Sequence, residues 1–104
     1  MPMFIFAYHG GKTPETPEEG AEVMAAWQAW FGTMGDAVVN PGNPVGPSKT
    51  VSAAGVADDG GANPLSGYTV VRATDFDAAI NMAKGCPMVE TGNGTVEVAE
   101  IIEM

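Results

Sequence analysis

The chain has 104 residues with thirteen acidic and four basic side chains, which gives a formal net charge of −9 and a sequence pI near 4.1. This length is typical of one domain, so residues 1–104 are expected to form a single unit. Nucleic acid and anionic membrane surfaces are excluded as partners, because both are bound through clustered lysine and arginine. An apolar fraction of 45% with only 16% charged residues also excludes a disordered chain.

Cysteine usage and the N-terminal segment indicate the cellular compartment. The chain has one cysteine, Cys86, so a secreted scaffold stapled by internal disulfides is excluded. The apolar run at residues 3–8 is too short for a signal peptide and much too short for a membrane span. We therefore expect a cytoplasmic protein.

The first part of the chain predicts a strand, a long helix and a second strand. Residues 3–8 are almost entirely apolar and end at two glycines, as expected for a central strand covered on both faces. Thr16 has the position of a helix cap, and Glu19 follows at the spacing of a capping box. Apolar residues then recur on one helical face until Gly35, where the helix is expected to end. A strand at residues 37–40 follows.

The middle of the chain predicts a proline-rich loop, a weak strand and a strong strand. Three prolines within residues 41–47 prevent regular strand pairing there. A weak strand, small and alanine-rich, covers residues 50–56, and residues 58–64 form a turn or loop. Residues 67–73 are rich in β-branched and aromatic side chains, so they predict a strong strand.

The last part of the chain predicts a second helix and a final strand. Thr74 has the position of the helix cap, and the helix is expected to end at Gly85, because the proline that soon follows prevents its continuation. The final strand covers residues 95–102. Its alternation of apolar residues slips between Val98 and Ile101, which predicts a β-bulge there.

This order of elements predicts an α+β fold of the ferredoxin-like, βαββαβ type with one extra hairpin strand. Two helices cross one face of an antiparallel sheet in such a fold. The other face must then meet solvent, a ligand or another subunit, and valines in the predicted strands supply apolar side chains to both faces. We expect a homodimer that packs sheet against sheet.

Four features, in this order, resemble those of a known family. The first is the apolar N-terminal strand, and the second is an acidic helix start that leads to Trp27-x-x-Trp30-Phe31-x-x-Met34-Gly35. The third is the Gly67-Tyr68 strand start, followed by Thr74-Asp75-Phe76-Asp77-Ala78-Ala79. The fourth is Cys86-Pro87 before a Val-Glu-Val strand. Over essentially its whole length the chain resembles the YCII-related domain family. The resemblance implies a dimeric α+β barrel that binds a small molecule in a cleft between helix and sheet.

Polar candidates for such a cleft lie at strand ends. His9, the only histidine, ends the first strand beside two glycines, where ligand-facing residues tend to lie. Oriented by Asp36 or Asp59, it would be a general base; otherwise it is a strand-end histidine bonded to a backbone carbonyl. Arg72 on a central strand suits an acidic ligand or, alternatively, an ion pair with Asp36 or Glu97.

The predicted site consists of His9 and Asp36 as catalytic residues and Arg72, Trp27 and Tyr8 as ligand-binding residues. Trp27 either lines an aromatic pocket or packs in the core, and its helical spacing favours the core. No metal-ligand spacing is present, so neither a metal nor another cofactor is predicted. Enzyme-like members of the family have a histidine near the first helix, whereas the first helix here has none. The alternative is therefore a non-catalytic homodimeric binding or interaction module.

Overall fold

A computed structural model describes all of residues 1–104 and confirms the ferredoxin-like α+β fold. A four-stranded antiparallel sheet has the strand order β2-β5-β1-β6, and β3 and β4 form a separate two-stranded hairpin. The strands are β1 (Met3–Gly10), β2 (Val38–Asn40), β3 (Thr50–Ser52), β4 (Gly55–Ala57), β5 (Leu65–Arg72) and β6 (Gly94–Glu100), and the helices are α1 (Pro17–Met34), α2 (Phe76–Lys84) and α3 (Pro87–Thr91). None of these helices is both long and apolar enough to cross a membrane.

Helix α1 begins and ends where local chemistry predicts. The backbone N–H of Glu19 donates to Thr16 Oγ1 at 3.1 Å, and the backbone N–H of Glu15 donates to Glu19 Oε2 at 2.7 Å. The first bond satisfies an amide that the first helical turn would leave without a partner, and the second ties the residue before the cap to the helix. At the other end the N–H of Gly35 donates to the Phe31 carbonyl. The capping residues therefore fix the length of α1.

Helices α2 and α3 differ in detail from the prediction. Asp75, not Thr74, caps α2, because its Oδ1 accepts the backbone N–H of Ala78 at 2.8 Å. Pro87 lies beyond the end of α2, as expected, but it also begins the short helix α3, which was not predicted. Proline suits the first helical position because its missing N–H would have no partner there.

Two predictions about the strands are wrong. The weak strand at residues 50–56 is instead the hairpin of β3 and β4, with Val51 opposite Val56, and it does not join the main sheet. Strand β6 pairs with β1 in an unbroken register and ends at Glu100, so there is no bulge near residues 98–101. The altered alternation there marks the end of the strand. The register shift lies elsewhere, between Tyr8 and His9, where β1 pairs with β5.

The two faces of the sheet have different environments. The helical face is covered by α1 and α2, and its core includes Phe4, Phe6 and Val71 from the strands and Trp30 from α1. Side chains alternate along a strand, so the residues between these core residues point to the opposite face of the sheet. No element of the chain covers that face. We call it the open face; its side chains are Met3, Ile5, Ala7, His9, Tyr68, Val70, Arg72, Thr95, Glu97 and Ala99.

Candidate functional site

His9 lies at the end of β1, on the open face, and three acceptors surround its ring. Nδ1 lies 3.0 Å from the carbonyl oxygen of Asn63 and 3.2 Å from that of Pro64. Nε2 lies 3.0 Å from Glu97 Oε1. The His9 side chain is 12% exposed and that of Glu97 is 68% exposed, so the ring is held between the sheet and solvent. We call this group of contacts the His9 clamp.

The His9 clamp joins a loop to the sheet. Nδ1 faces the carbonyls of Asn63 and Pro64, and Nε2 faces the Glu97 carboxylate on β6. An imidazole nitrogen that carries hydrogen donates to acceptors of this kind, so the ring links the Asn63–Pro64 segment to β1 and β6.

A groove of about 740 Å³ opens beside the clamp. Its walls are Gly10 and Gly11 at the end of β1, residues 45–48, and residues 58–66. Gly10 and Gly11 have φ angles of 84° and 101°, which glycine adopts readily and other residues do not. We call it the glycine-lined groove. Its volume lies within the range of roughly 300–1,000 Å³ that small-molecule sites occupy.

Small residues and two carboxylates line this groove. Its wall includes several glycines, Ser48, Ser66, Asp58 and Asp59, and Lys49 forms an ion pair with Asp58 at 3.4 Å. Asp59 accepts the backbone N–H of Gly61 at 3.1 Å, which holds the turn in place. Such a surface accepts hydrogen bonds from neutral hydroxyl groups and repels anions.

The His9 clamp shapes this groove directly. Asn63 and Pro64, whose carbonyls contact Nδ1, are both wall residues. The opposite rim belongs to the proline-rich loop, in which Val45 donates its backbone N–H to Ser66 at 3.0 Å. Only an isolated bridge at Pro44 pairs this loop with β5, in keeping with the predicted lack of a regular ladder. Removal of the His9 ring would therefore release one wall of the groove.

Tyr8 and Trp27 lie on the helical face, away from the groove. The Tyr8 hydroxyl donates to Thr69 Oγ1 at 2.7 Å, and the Thr69 hydroxyl donates to the Pro41 carbonyl at 2.9 Å. Trp27 packs edge-on against Tyr8 with ring centroids 5.1 Å apart. The contacts of both side chains are those of core residues, and their predicted role in ligand binding stays a prediction.

Burial of Tyr8 makes the fold less stable at alkaline pH. Desolvation raises the pKa of Tyr8 well above 10, outweighing the Thr69 hydrogen bond that lowers it, and burial also raises the pKa of the Cys86 thiol. Because the unfolded chain ionises first, stability is complete below the unfolded pKa values and falls as the pH rises above about 9 to 10. We expect the urea concentration at the midpoint of unfolding to decrease as the pH is raised from about 9 to about 11.5. The decrease is expected to be smaller in Tyr8→Phe, and an equal decrease in both proteins would contradict this explanation.

Asp36 and Arg72 do not join His9 within one chain. Asp36 is exposed in the short turn after α1 and forms no ion pair, so Glu97 has the position next to His9 that Asp36 or Asp59 was expected to have. Arg72 pairs with Met3 across the strands, which places it roughly 20 Å from His9 at about 3.3 Å per residue. It forms neither of the predicted ion pairs.

Glu97 is the site residue that the sequence did not assign to His9. The two residues are 88 positions apart, and they meet because β1 and β6 pair antiparallel with Ala7 opposite Glu97 and His9 opposite Thr95. Diagonal neighbours of this kind lie within reach of long side chains. The only available signal was that Glu97 lies in the predicted final strand, and the strand register was needed to use it.

The fold and the groove define a small ferredoxin-like α+β domain with an open groove at one end of its sheet. This fold is similar to that of 5-chloro-2-hydroxyhydroquinone dehydrochlorinase (TftG) from Burkholderia phenoliruptrix AC1100, solved in complex with 2,5-dihydroxybenzoquinone. The TM-score is 0.60 at 14% sequence identity, over 100% of this chain and 96% of that one. No protein-family model matches the chain, and no curated protein matches its sequence. At this identity the likeness establishes the fold alone.

Proposed function

We propose that this chain is a homodimeric small-molecule-binding protein, related to the YCII-related family, whose ligand occupies the glycine-lined groove. One observation carries the proposal: His9 and Glu97 hold the wall of a groove large enough for a small molecule. Ligand sites in proteins combine a concave surface with a few convergent polar groups, as found here. The structural neighbour, with its bound quinone, is one protein of this fold that holds a small molecule.

The ligand class follows from the lining of the groove. Glycine backbone and the carboxylates of Asp58 and Asp59 favour a neutral molecule with hydroxyl donors. Lys49 Nζ lies 3.4 Å from Asp58 Oδ1 and offsets that carboxylate, so an anionic ligand would be repelled mainly by Asp59. Neutral dihydroxybenzenes such as hydroquinone and catechol meet these requirements and serve as probes. Hydroxybenzoates, which add a carboxylate to a similar ring, are the matched anionic probes.

Replacement of His9 tests the site. We expect hydroquinone to bind the wild-type protein more tightly than 4-hydroxybenzoate in isothermal titration calorimetry. We expect His9→Ala to weaken hydroquinone binding at least tenfold, because the Asn63–Pro64 wall loses its anchor. His9→Gln retains an amide donor for those carbonyls and is expected to have an intermediate dissociation constant.

The control for this experiment is Lys84→Ala. Lys84 is an exposed residue at the end of α2 and is not part of the groove wall, so its removal is expected to leave the dissociation constant for hydroquinone unchanged. Circular dichroism establishes whether each variant is folded. Equal affinities in the wild type, His9→Ala and Lys84→Ala, or tighter binding of 4-hydroxybenzoate, would contradict the proposed site.

Catalysis at this site would depend on the carboxylate that contacts His9. An enzymatic form of the site would use His9 and Glu97, rather than His9 and Asp36, as the proton-transferring pair. A second candidate function, a non-catalytic homodimeric binding module, is favoured by one specific observation: acceptors occupy both nitrogens of His9. In either form we propose that the open face is the surface where two copies meet, because the half-buried apolar side chains of Ile5, Ala7 and Val70 lie at its centre.

A further inference from the structure

The hairpin formed by β3 and β4 is the least covered element of the chain. Every residue of its two strands is exposed, and the strands pair only with each other. Val51 and Val56 face one another across the hairpin and are 78% and 64% exposed. An isolated two-stranded hairpin is at best marginally stable in water. We call the segment Thr50–Ala57 the hairpin arm.

The overall dimensions show that the chain is too extended for a compact monomer of its size. Its accessible surface is 6927 Å², whereas a compact monomer of this mass exposes roughly 5,500 Å². Its radius of gyration is 14.9 Å, against about 13 Å for a compact domain of 100 residues. The excess surface of roughly 1,400 Å² exceeds the ~800 Å² per partner that a standard stable interface buries.

The base of the hairpin arm adjoins the open face. The chain that returns from the arm passes Asn63 and Pro64, whose carbonyls contact the side chain of His9 on that face. An occupant seated on the open face at this end of the sheet would therefore also meet the arm. The segment that leads back from the arm therefore ends at the open face.

Two copies of this chain can meet on these surfaces without bringing like charges together there. The net charge of −9 makes two copies repel each other unless they meet through uncharged surface. The hairpin arm contains no charged residue, and Ile5, Ala7 and Val70 at the centre of the open face are also uncharged. In a dimer with two-fold symmetry, each copy would contribute both of these surfaces to the interface.

We infer that the hairpin arm is a dimerisation arm, which packs Val51 and Val56 against a second copy of this chain. The inference rests on the proposed sheet-to-sheet homodimer and adds a second contact to it. The arm gains the packing partner that it lacks in one chain, and the excess surface of the monomer is removed from water.

The test is a double substitution in the arm, Val51→Thr with Val56→Thr. Threonine is β-branched like valine, so the hairpin retains its strand preference, while a hydroxyl in place of one methyl group removes apolar surface. Sedimentation equilibrium of the full chain is expected to show a dimer for the wild type and a dimer dissociation constant at least tenfold higher for the variant. The matched control is Val23→Thr with Val89→Thr, two exposed valines on helices, which is expected to leave dimerisation unchanged.

A third variant distinguishes the arm from the open face. Val70→Glu places a charge at the centre of the open face and is expected to give a monomer, which tests the homodimer itself. If Val51→Thr/Val56→Thr dimerises as tightly as the wild type, the role of the arm is overturned while the sheet-to-sheet dimer stands. If the wild type is monomeric at about 100 micromolar, roughly a hundredfold above a dissociation constant of 1 micromolar, both the arm and the proposed homodimer are overturned.

Discussion

Replacement of Trp30 by alanine is expected to destabilise the fold by about 3–5 kcal/mol. Trp30 is buried, stacks on Phe6 with ring centroids 6.1 Å apart, and donates its Nε1–H to the Met82 carbonyl at 2.9 Å. It is the side chain through which α1 contacts both the sheet and α2. Since domains of this size are stable by about 5–15 kcal/mol, this one substitution removes a large share of the total.

Urea unfolding followed by circular dichroism measures this loss. Trp30→Phe is expected to lie between the wild type and Trp30→Ala, because it keeps an aromatic ring but leaves the Met82 carbonyl without its donor. Met24→Ala, at an exposed position of the same helix, is the control and is expected to change stability by less than about 0.5 kcal/mol. If Trp30→Ala were as stable as Met24→Ala, the described core would be contradicted.

Replacement of Gly42 by alanine is the second large effect, expected at about 2–3 kcal/mol. Gly42 has a φ of 68°, a region that favours glycine, and an added Cβ would overlap the carbonyl oxygen of Tyr68. The overlap involves backbone, so it is relieved only by moving the proline-rich loop away from β5. That movement would also disturb the bond between Thr69 and the Pro41 carbonyl.

Gly46, four residues along the same loop, gives a matched comparison for Gly42. An added Cβ at Gly46 meets nothing within 4 Å, and its φ lies outside the positive region. Gly46→Ala is therefore expected to be neutral or slightly stabilising, because alanine restricts the unfolded chain. Urea midpoints of the two variants measure the difference; equal midpoints would show that the close approach of the loop to Tyr68 has no energetic consequence.

The sequence predicted those features of the fold that depend on local chemistry. The start of α1 is a clear case, because Thr16 and Glu19 satisfy neighbouring amides within one helical turn. The order of strands and helices similarly restricts the topology to few arrangements, of which the ferredoxin-like one is observed. Even local chemistry leaves ambiguities, as shown by the cap of α2, where adjacent Thr74 and Asp75 are both suitable and backbone conformation selects Asp75.

The features that the sequence did not predict depend on distant pairing. The contact between His9 and Glu97 requires the register of β1 with β6, and a shift of one residue would put Glu97 on the helical face. The glycine-lined groove requires that residues 45–48 and 58–66 meet the end of β1, which no periodicity in these loops indicates. The sequence predicted one weak strand in place of the separate hairpin, because its two strands are short and follow each other closely.

Mapping hydroquinone by ¹H–¹⁵N correlation spectroscopy tests the central claim, that the groove beside His9 binds a neutral small molecule. The groove contains several glycines whose amides report on it directly, and a second surface groove, between α1 and α3, provides an internal comparison. We expect saturable shifts at Gly10, Gly11 and Gly61. Shifts confined to Ala26 and Gly85 of the second groove, or no saturable shift at any amide, would contradict the account.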